Sequence, residues 1–353
     1  MQPLRAISDR ILSWYALHKR DLPWRNTRNP YFVWVSEVML QQTQVDTVIP
    51  YYHGFLKQFP TIEALAKASL QEVLKVWENM GYYARARHLH AAAREVVNRM
   101  GGKIPQTWDE LIRLPGVGTY TASAILSFAF DKRFPTVDGN AQRVLCRLFA
   151  IQEPIDQSRS QREIHDLAAK MIPSDEPANF NHGIMELGAT ICRPRSPLCN
   201  TCPVGDLCLA FKKGLQETLP IMRDRKPLGH KEMTAALIAD TRGRWLIVQR
   251  PSKGLLGGLW KFPGGERGAG ETLQQGLRRN VREELGIGIK VGKALTSVDH
   301  AYTHFRITLH AFRCARQNGE PRAIGCDRVQ WVMPDRLDDF PFSRADRKVI
   351  EAL

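Results

Sequence analysis

The chain has 353 residues, 43% of them hydrophobic, which is enough for two packed domains of ordinary size. The formal net charge is +14, from 28 basic and 22 acidic side chains in residues 1–225 and 22 and 14 in residues 226–353. Both parts therefore suit a polyanion, although solvated basic surfaces are also common. The first twenty residues carry charges throughout, and the charge-free run Leu114 to Phe130 is short for a membrane span of about 20 apolar residues. A secretory leader and a membrane anchor are thus excluded as expectations, and a soluble cytoplasmic protein is expected.

The N-terminal twenty residues show amphipathic helical spacing. A second helix is expected after Asn29, which can cap it, and Pro30, which suits a first turn. Between Arg28 and Asp46 the only charged residue is Glu37. A lone carboxylate among apolar residues is costly unless it is paired or functional. Burial would raise its pKa, as a general acid at neutral pH requires. A partly exposed glutamate in a salt bridge explains the same residue. Glu37, Gln41 and Gln44 are expected on one helical face, which sets amides beside the carboxylate.

Thr107-Trp108-Asp109-Glu110 has the spacing of a capping box. A short apolar helix should follow and stop at Leu114-Pro115-Gly116-Val117-Gly118, with a second helical run from about Thr119 to Phe130. Gly116 and Gly118 permit a tight turn and a close approach by another backbone. Amides opening the second helix suit a phosphate, and an ordinary helix-loop-helix fits the same five residues. Asp138 precedes another helical run, Ala141 to Ala150, where an N-cap role is the plain alternative to chemistry.

Seven cysteines are present. Cys146, Cys314 and Cys326 read as small core residues. Cys192, Cys199, Cys202 and Cys208 follow C-x6-C-x2-C-x5-C, and four thiols this close argue for a metal centre over disulfides. Spacing alone leaves structural zinc and an iron–sulfur cluster equally open. Arg193, Arg195, Lys212 and Lys213 sit around this loop, suited to phosphate.

A charged, Pro- and Gly-containing connector follows, and beyond it the period changes. Met233–Ala239 and Trp245–Arg250 read as strands around an Asp240–Arg244 turn, with a helix near Glu271–Leu285. Phe305, Ile307, Leu309 and Ala311 alternate with polar residues in another strand. Val329–Val332 and a helix near Arg344–Leu353 complete an α+β domain.

LPGVGTYTA followed by VDGN resembles the helix-hairpin-helix and Gly/Pro-rich-Asp loop of the endonuclease III superfamily of DNA glycosylases, over roughly residues 1–225. The cysteine spacing resembles that superfamily's [4Fe–4S] loop. SEVMLQQTQV and MGYYARAR are similar to segments of MutY-type adenine glycosylases. The resemblance implies Glu37 as general acid, Asp138 at the sugar, Asn140 orienting Asp138, and Tyr120 supporting the intermediate. DNA contacts are implied for Gln41, Gln42, Thr43, Gly116, Gly118, Tyr82, Arg85 and Arg87. Tyr82 would wedge into the base stack, although a core role suits at least one of Tyr82 and Tyr83. In lyase-type relatives the position of Tyr120 is a lysine that attacks the sugar, so base removal without efficient strand cleavage is expected.

Gly265 to Gly286 resembles a Nudix box, but Asn280 replaces the glutamate expected after Arg279. A Nudix-like fold without hydrolase activity is expected, as in the MutY C-terminal domain, whose aromatic-Ser-His element has Tyr302-Thr303-His304 as its nearest match here. Thr303 and His304 would then recognise 8-oxoguanine.

The fold expected is multidomain. An all-α helix-hairpin-helix glycosylase domain (1–211, iron–sulfur loop 192–208) leads through a linker (212–230) to an α+β Nudix-like domain (231–353). The function implied is excision of adenine opposite 8-oxoguanine or guanine in double-stranded DNA, by a monomer holding one [4Fe–4S] cluster. Alternatives are an endonuclease III-like or thymine-mismatch glycosylase, a nucleotide-pool Nudix hydrolase with an attached DNA-binding domain, and a non-enzymatic binder of distorted DNA. Tyr120 disfavours the lyase, Asn280 the hydrolase, and the cost of Glu37 the binder.

Overall fold

The structure is a computed structural model that describes residues 2–223 and 228–353. Residues 224–227 of the expected linker lie outside the described residues. The chain forms two compact units. One comprises Met1–Leu56, Thr61–Glu63 and Ala92–Arg225; the other comprises Lys57–Pro60, Ala64–Ala91 and Lys226–Leu353. The second unit thus takes in a helical excursion from the N-terminal part of the sequence.

Helices dominate the first 212 residues: α1 (Gln2–His18), α2 (Pro30–Leu40), α3 (Val45–Gln58), α4 (Ile62–Lys67), α5 (Leu70–Val76), α6 (Ala84–Met100), α7 (Trp108–Leu111), α8 (Thr119–Ala124), α9 (Gly139–Leu148), α10 (Ser158–Met171), α11 (Pro177–Thr190) and α12 (Leu209–Lys212). The start of α2 follows expectation: the Asn29 side chain accepts from the backbone N–H of Tyr31 and Pro30 opens the first turn. The core of the first unit is built by α1, α9, α10 and α11, through Ile11, Leu145, Ile164, Phe180 and Ile184. Burying such side chains contributes about 1.5–3 kcal/mol each. Helix α11 approaches α9 closely at Gly188, where a Cβ would come within 2.7 Å of Asn140 Cβ.

Two local expectations are corrected here, and one is met. Thr107 gives no side-chain cap to the backbone; its hydroxyl donates to the Glu110 carboxylate instead, and α7 is a single turn. The helical run expected from Thr119 to about Phe130 is present, as α8 continued by a π-helical turn, Ile125–Ala129. Helix α2 ends at Leu40, so Gln41 and Gln44 do not continue the face of Glu37. The chain turns instead at Gln42, which has φ 57°.

In the second unit, β1 (Gly229–Ile238) pairs in parallel with β5 (Phe305–Asn318), and β5 pairs antiparallel with β4 (Gly288–Ala301). A second sheet has the order β3 (Trp260–Lys261), β2 (Trp245–Gln249), β6 (Arg328–Val332). The two strands flanking the Asp240 turn therefore belong to different sheets, joined only by an isolated bridge, Ala239 to Trp245. Both strands and the turn between them are as expected, and Ala235–Ile238 of β1 are buried against α13 (Leu273–Leu285) and α14 (Arg344–Ile350). Helix α13 has a true capping box, Thr272 with Gln275, and ends on left-handed Gly286. No helix among the described residues is long and apolar enough to cross a membrane.

Candidate active site

Glu37 lies near the end of α2 and is 2% exposed. Burial, followed by the charge of Asp138, pushes its pKa up to about 7, against the opposing effects of the Tyr120 hydrogen bond and the Arg25 charge. Tyr120, in the first turn of α8, donates its hydroxyl to Oε2 of Glu37 at 2.6 Å. The hairpin thus presents a side chain to α2 as well as a turn to the outside. Gly116 has φ +73°, a conformation that favours glycine. Gly118 is extended at the cap of α8, and a Cβ there would meet nothing within 4 Å. Both glycines are exposed.

Asp138 caps α9. Its Oδ1 accepts from Ala141 N–H at 2.7 Å, and its Oδ2 accepts from Asn140 Nδ2 at 3.0 Å. Burial pushes its pKa up, while these donors and the charge of Arg143 pull it down. The net shift is upward, because burial outweighs these donors. Arg143 extends the chain of contacts: it donates to Asn140 Oδ1, Gly188 O and Cys192 O, each at 2.8 Å.

Sequence reasoning missed a second charged group in this unit. Glu186 on α11 is 0% exposed and accepts from Arg20 Nε at 2.7 Å and Arg25 Nη2 at 2.6 Å. Burial disfavours its charge, but the two arginines hold its pKa down at about 2. His182, one turn earlier, stacks on Phe128 at 3.9 Å between centroids, and burial lowers its pKa to about 3. The available signal was the spacing of His182 and Glu186 along one helical face. The arginine partners of Glu186 lie more than 150 residues away.

The α2–α3 turn carries the other polar residues of the SEVMLQQTQV segment. Gln41 Nε2 donates to Thr121 Oγ1 at 3.1 Å, and Thr43 Oγ1 donates to Gln41 O at 3.4 Å. Gln42 is exposed, in the left-handed conformation.

Cys192, Cys199, Cys202 and Cys208 line one pocket with Ile191, Pro197 and Arg147. Arg147 lies over it, donating to Cys192 Sγ at 3.4 Å and to the carbonyls of Arg193 at 2.7 Å and Pro194 at 3.1 Å. Burial pushes the Cys202 thiol up to about 12 and raises Cys199 and Cys208 as well. Among the described residues no three His, Cys, Asp or Glu side chains are grouped so as to hold a single metal ion. Arg193, Arg195, Lys212 and Lys213 are exposed around this loop.

In the second unit Tyr82 is exposed, with φ 48°. Its hydroxyl makes a 2.5 Å hydrogen bond with Thr303 Oγ1 in the β4–β5 turn. Thr303 and His304 are both exposed there. Arg85 is buried, with its guanidinium over the rings of Trp77 and Tyr82, and desolvation lowers its pKa to about 10. Arg87 donates to Gly257 O at 2.9 Å and Gly254 O at 2.7 Å. These guanidinium groups, expected at DNA, are engaged by the protein's own chain. In the Nudix-like segment Arg279 pairs with Glu271 at 2.7 Å and Glu283 at 3.2 Å. Lys261 pairs with Glu284 at 2.8 Å, and Asn280 donates to Glu266 O at 3.1 Å.

Residues 35–207 match the HhH-GPD superfamily of base excision DNA repair proteins, and residues 234–352 match the NUDIX domain family. Human adenine DNA glycosylase is 36% identical over 395 residues, covering 96% of this chain and 72% of the human protein. The mouse adenine DNA glycosylase is 36% identical over 401 residues, covering 98% of this chain and 77% of its own. The chain belongs to the adenine DNA glycosylase family. As an adenine DNA glycosylase it is a hydrolase of base excision repair. Among solved structures, a thermostable thymine-DNA glycosylase superposes with a TM-score of 0.56 at 32% identity, over 60% of this chain and 98% of that one. Endonuclease III in a non-covalent DNA complex superposes with a TM-score of 0.53 at 26% identity, over 61% and 98%. The helical part of this adenine glycosylase therefore shares the helix-hairpin-helix fold, and a Nudix-like domain follows it.

Proposed function

We propose that this adenine glycosylase removes adenine mispaired with 8-oxoguanine or guanine in duplex DNA. Glu37 serves as general acid and Asp138 as the charged partner of the sugar. The observation that carries the reading is the buried Glu37 carboxyl, with a pKa near 7 and a hydrogen bond from Tyr120. Half of such a population holds a proton at neutral pH, which matches the need of an acid. Extrusion of the base from the duplex comes first. Glu37 then gives its proton to the adenine ring as the N-glycosidic bond breaks, so the base leaves neutral. The sugar acquires oxocarbenium character, Asp138 offsets that positive charge, and water then adds to the sugar carbon while its proton restores the Glu37 acid. Donors from Ala141 and Asn140 favour the charged form of Asp138. Tyr120 holds Glu37 in place and has no amine to attack the sugar.

Cys192, Cys199, Cys202 and Cys208 would hold one [4Fe–4S] cluster. The donor set fits: four sulfurs line one pocket under Arg147. Bound, the cluster would covalently tie the 192–208 loop, and the exposed Arg193 and Arg195 would then face phosphate. Gly116, Gly118, Gln41, Gln42 and Thr43 would contact the DNA, with Tyr82 as wedge. Residues 1–211 would form the glycosylase domain and 231–353 the recognition domain, where Thr303 and His304 sense 8-oxoguanine without diphosphate hydrolysis. The hydrogen bond between Tyr82 and Thr303 supports a joint role for wedge and reading turn.

Single-turnover excision from the two mispair duplexes tests the reading. Glu37→Gln should abolish both reactions with binding retained. Thr303→Ala with His304→Ala should slow excision opposite 8-oxoguanine more than opposite guanine. Equal loss on both duplexes would refute the reading role of this turn.

A further inference from the structure

The match to the HhH-GPD superfamily runs through residues 35–207, yet Ala64–Ala91 of that stretch pack in the second unit with the C-terminal part of the chain. Directed bonds hold them there. Gln71 Oε1 accepts from Trp260 Nε1 at 2.7 Å, and Gln71 Nε2 donates to Gly258 O at 3.0 Å. A Cβ on Gly258, which has φ +79°, would come within 3.1 Å of the Leu74 side chain.

Glu78 is the charged link in this set. Its side chain is 10% exposed and pairs with Arg347, 12% exposed, at 2.5 Å. The same oxygen, Oε1, accepts the backbone N–H of Phe342 at 3.0 Å, and Oε2 accepts from Lys75 Nζ at 2.6 Å. Arg347 is fixed in turn, donating to Phe340 O and to Asp338 Oδ1, each at 2.6 Å. Desolvation offsets much of the stability of a buried pair, so what such a pair contributes is geometry. Charge-assisted bonds supply that geometry because they are short and directional.

Both ends of the pair lead to Thr303. Glu78 lies four residues before Tyr82, whose hydroxyl makes a 2.5 Å hydrogen bond with Thr303 Oγ1. On the other side Phe342, 0% exposed, belongs to the core against which Tyr302 and Phe305 pack. Those two residues flank Thr303 and His304. The turn is thus held from two directions that meet at Glu78.

We infer that Glu78 is a positioning residue for recognition of the base opposite adenine: by holding Phe342 and Arg347 it sets Tyr82 against Thr303. The reading module is then residues 64–91 together with 228–353, not the C-terminal segment alone. The inference rests on the reading role proposed for Thr303 and His304.

The test uses the full chain with Glu78→Ala and with Glu78→Gln, which keeps Oε1 as an acceptor. The Tyr302 amide, bonded to Phe305 O at 2.8 Å, reports on the turn. Its hydrogen exchange should be about tenfold faster in Glu78→Ala, with the amides of β2 unchanged. Single-turnover excision by Glu78→Ala should slow about tenfold opposite 8-oxoguanine and less than about twofold opposite guanine. Glu78→Gln should keep most of the parent rate on both duplexes. Unchanged exchange at Tyr302 overturns the inference. So does equal acceleration in β2, which shows lost stability alone. An equal loss on both duplexes for Glu78→Ala, where Thr303→Ala with His304→Ala is selective, overturns the positioning role and leaves the reading role standing. An equal loss for the turn variant as well overturns the reading role, and the positioning role with it.

Discussion

The hydroxyl of Tyr120 donates to Oε2 of Glu37 across 2.6 Å, joining the helix after the glycine hairpin to a helix 83 residues earlier. A hydrogen bond to a carboxylate favours its charged form, so Tyr120 restrains the rise that burial imposes on Glu37. Tyr120→Phe should therefore raise the Glu37 pKa above about 7. The alkaline limb of single-turnover adenine excision should move to higher pH. A limb that moves to lower pH would show that the hydroxyl acts otherwise.

Glu37 also leaves a mark on stability. Its folded pKa of about 7 lies above its ordinary 4.5, so the folded state binds this proton more tightly. The resulting stability is fully present below about 4.5 and is lost as pH rises through about 7. Glu37→Gln should thus raise stability at pH above 7, by on the order of 3 kcal/mol, and leave it little changed in acid. Excision should be abolished on both duplexes, a loss of at least about 10²–10⁴-fold. Denaturant melts at two pH values, beside excision assays, check both.

Glu186 carries the opposite sign. Its pKa is held at about 2 by Arg20 and Arg25, so its contribution is present above about 4.5 and lost as pH falls through about 2. Glu186→Gln leaves Arg25, 9% exposed, without its partner. A loss of about 3 kcal/mol at neutral pH is expected, the low end for a broken buried pair because Arg20 is 40% exposed. Thermal melts from neutral to acid should show the variant and the parent converging.

Tyr120 bears on strand cleavage as well. With no lysine there, borohydride should trap little enzyme–DNA adduct, and breaks should appear mainly after alkali. Tyr120→Lys should increase trapping if the new amine reaches the sugar. Trapping in the parent at the level of a true lyase would overturn the assignment.

The four-cysteine pocket predicts iron. Purified protein should absorb in the visible range, and metal analysis should find iron without zinc. Cys199→Ser should lower thermal stability or DNA affinity more than the intrinsic excision rate, because Cys199 makes no hydrogen bond to Glu37 or Asp138 among the described residues.

Much of the site was legible because its signals are local. Glu37 stood out as one charge in an apolar segment, the hairpin through Gly116 and Gly118, and the thiols through their spacing. The Asn29 cap and Pro30 start are likewise local chemistry. Local signals failed where a competing partner was near: the Thr107 hydroxyl took the Glu110 carboxylate instead of a backbone amide.

Residue order by itself determined which groups exist and which helices carry them, because caps, turns and apolar periodicity act over a few residues. Only the tertiary structure decided what those groups touch. It buried Glu37 under Tyr120, closed Glu186 between Arg20 and Arg25, and ran Arg143 from Asn140 to the carbonyl of Cys192. It also occupied Arg85 and Arg87 within the protein and separated β1 from β2 into different sheets. The physical reason is common to all of these. Desolvation and charge pairing depend on the neighbours that packing supplies, and those neighbours come from distant parts of the chain.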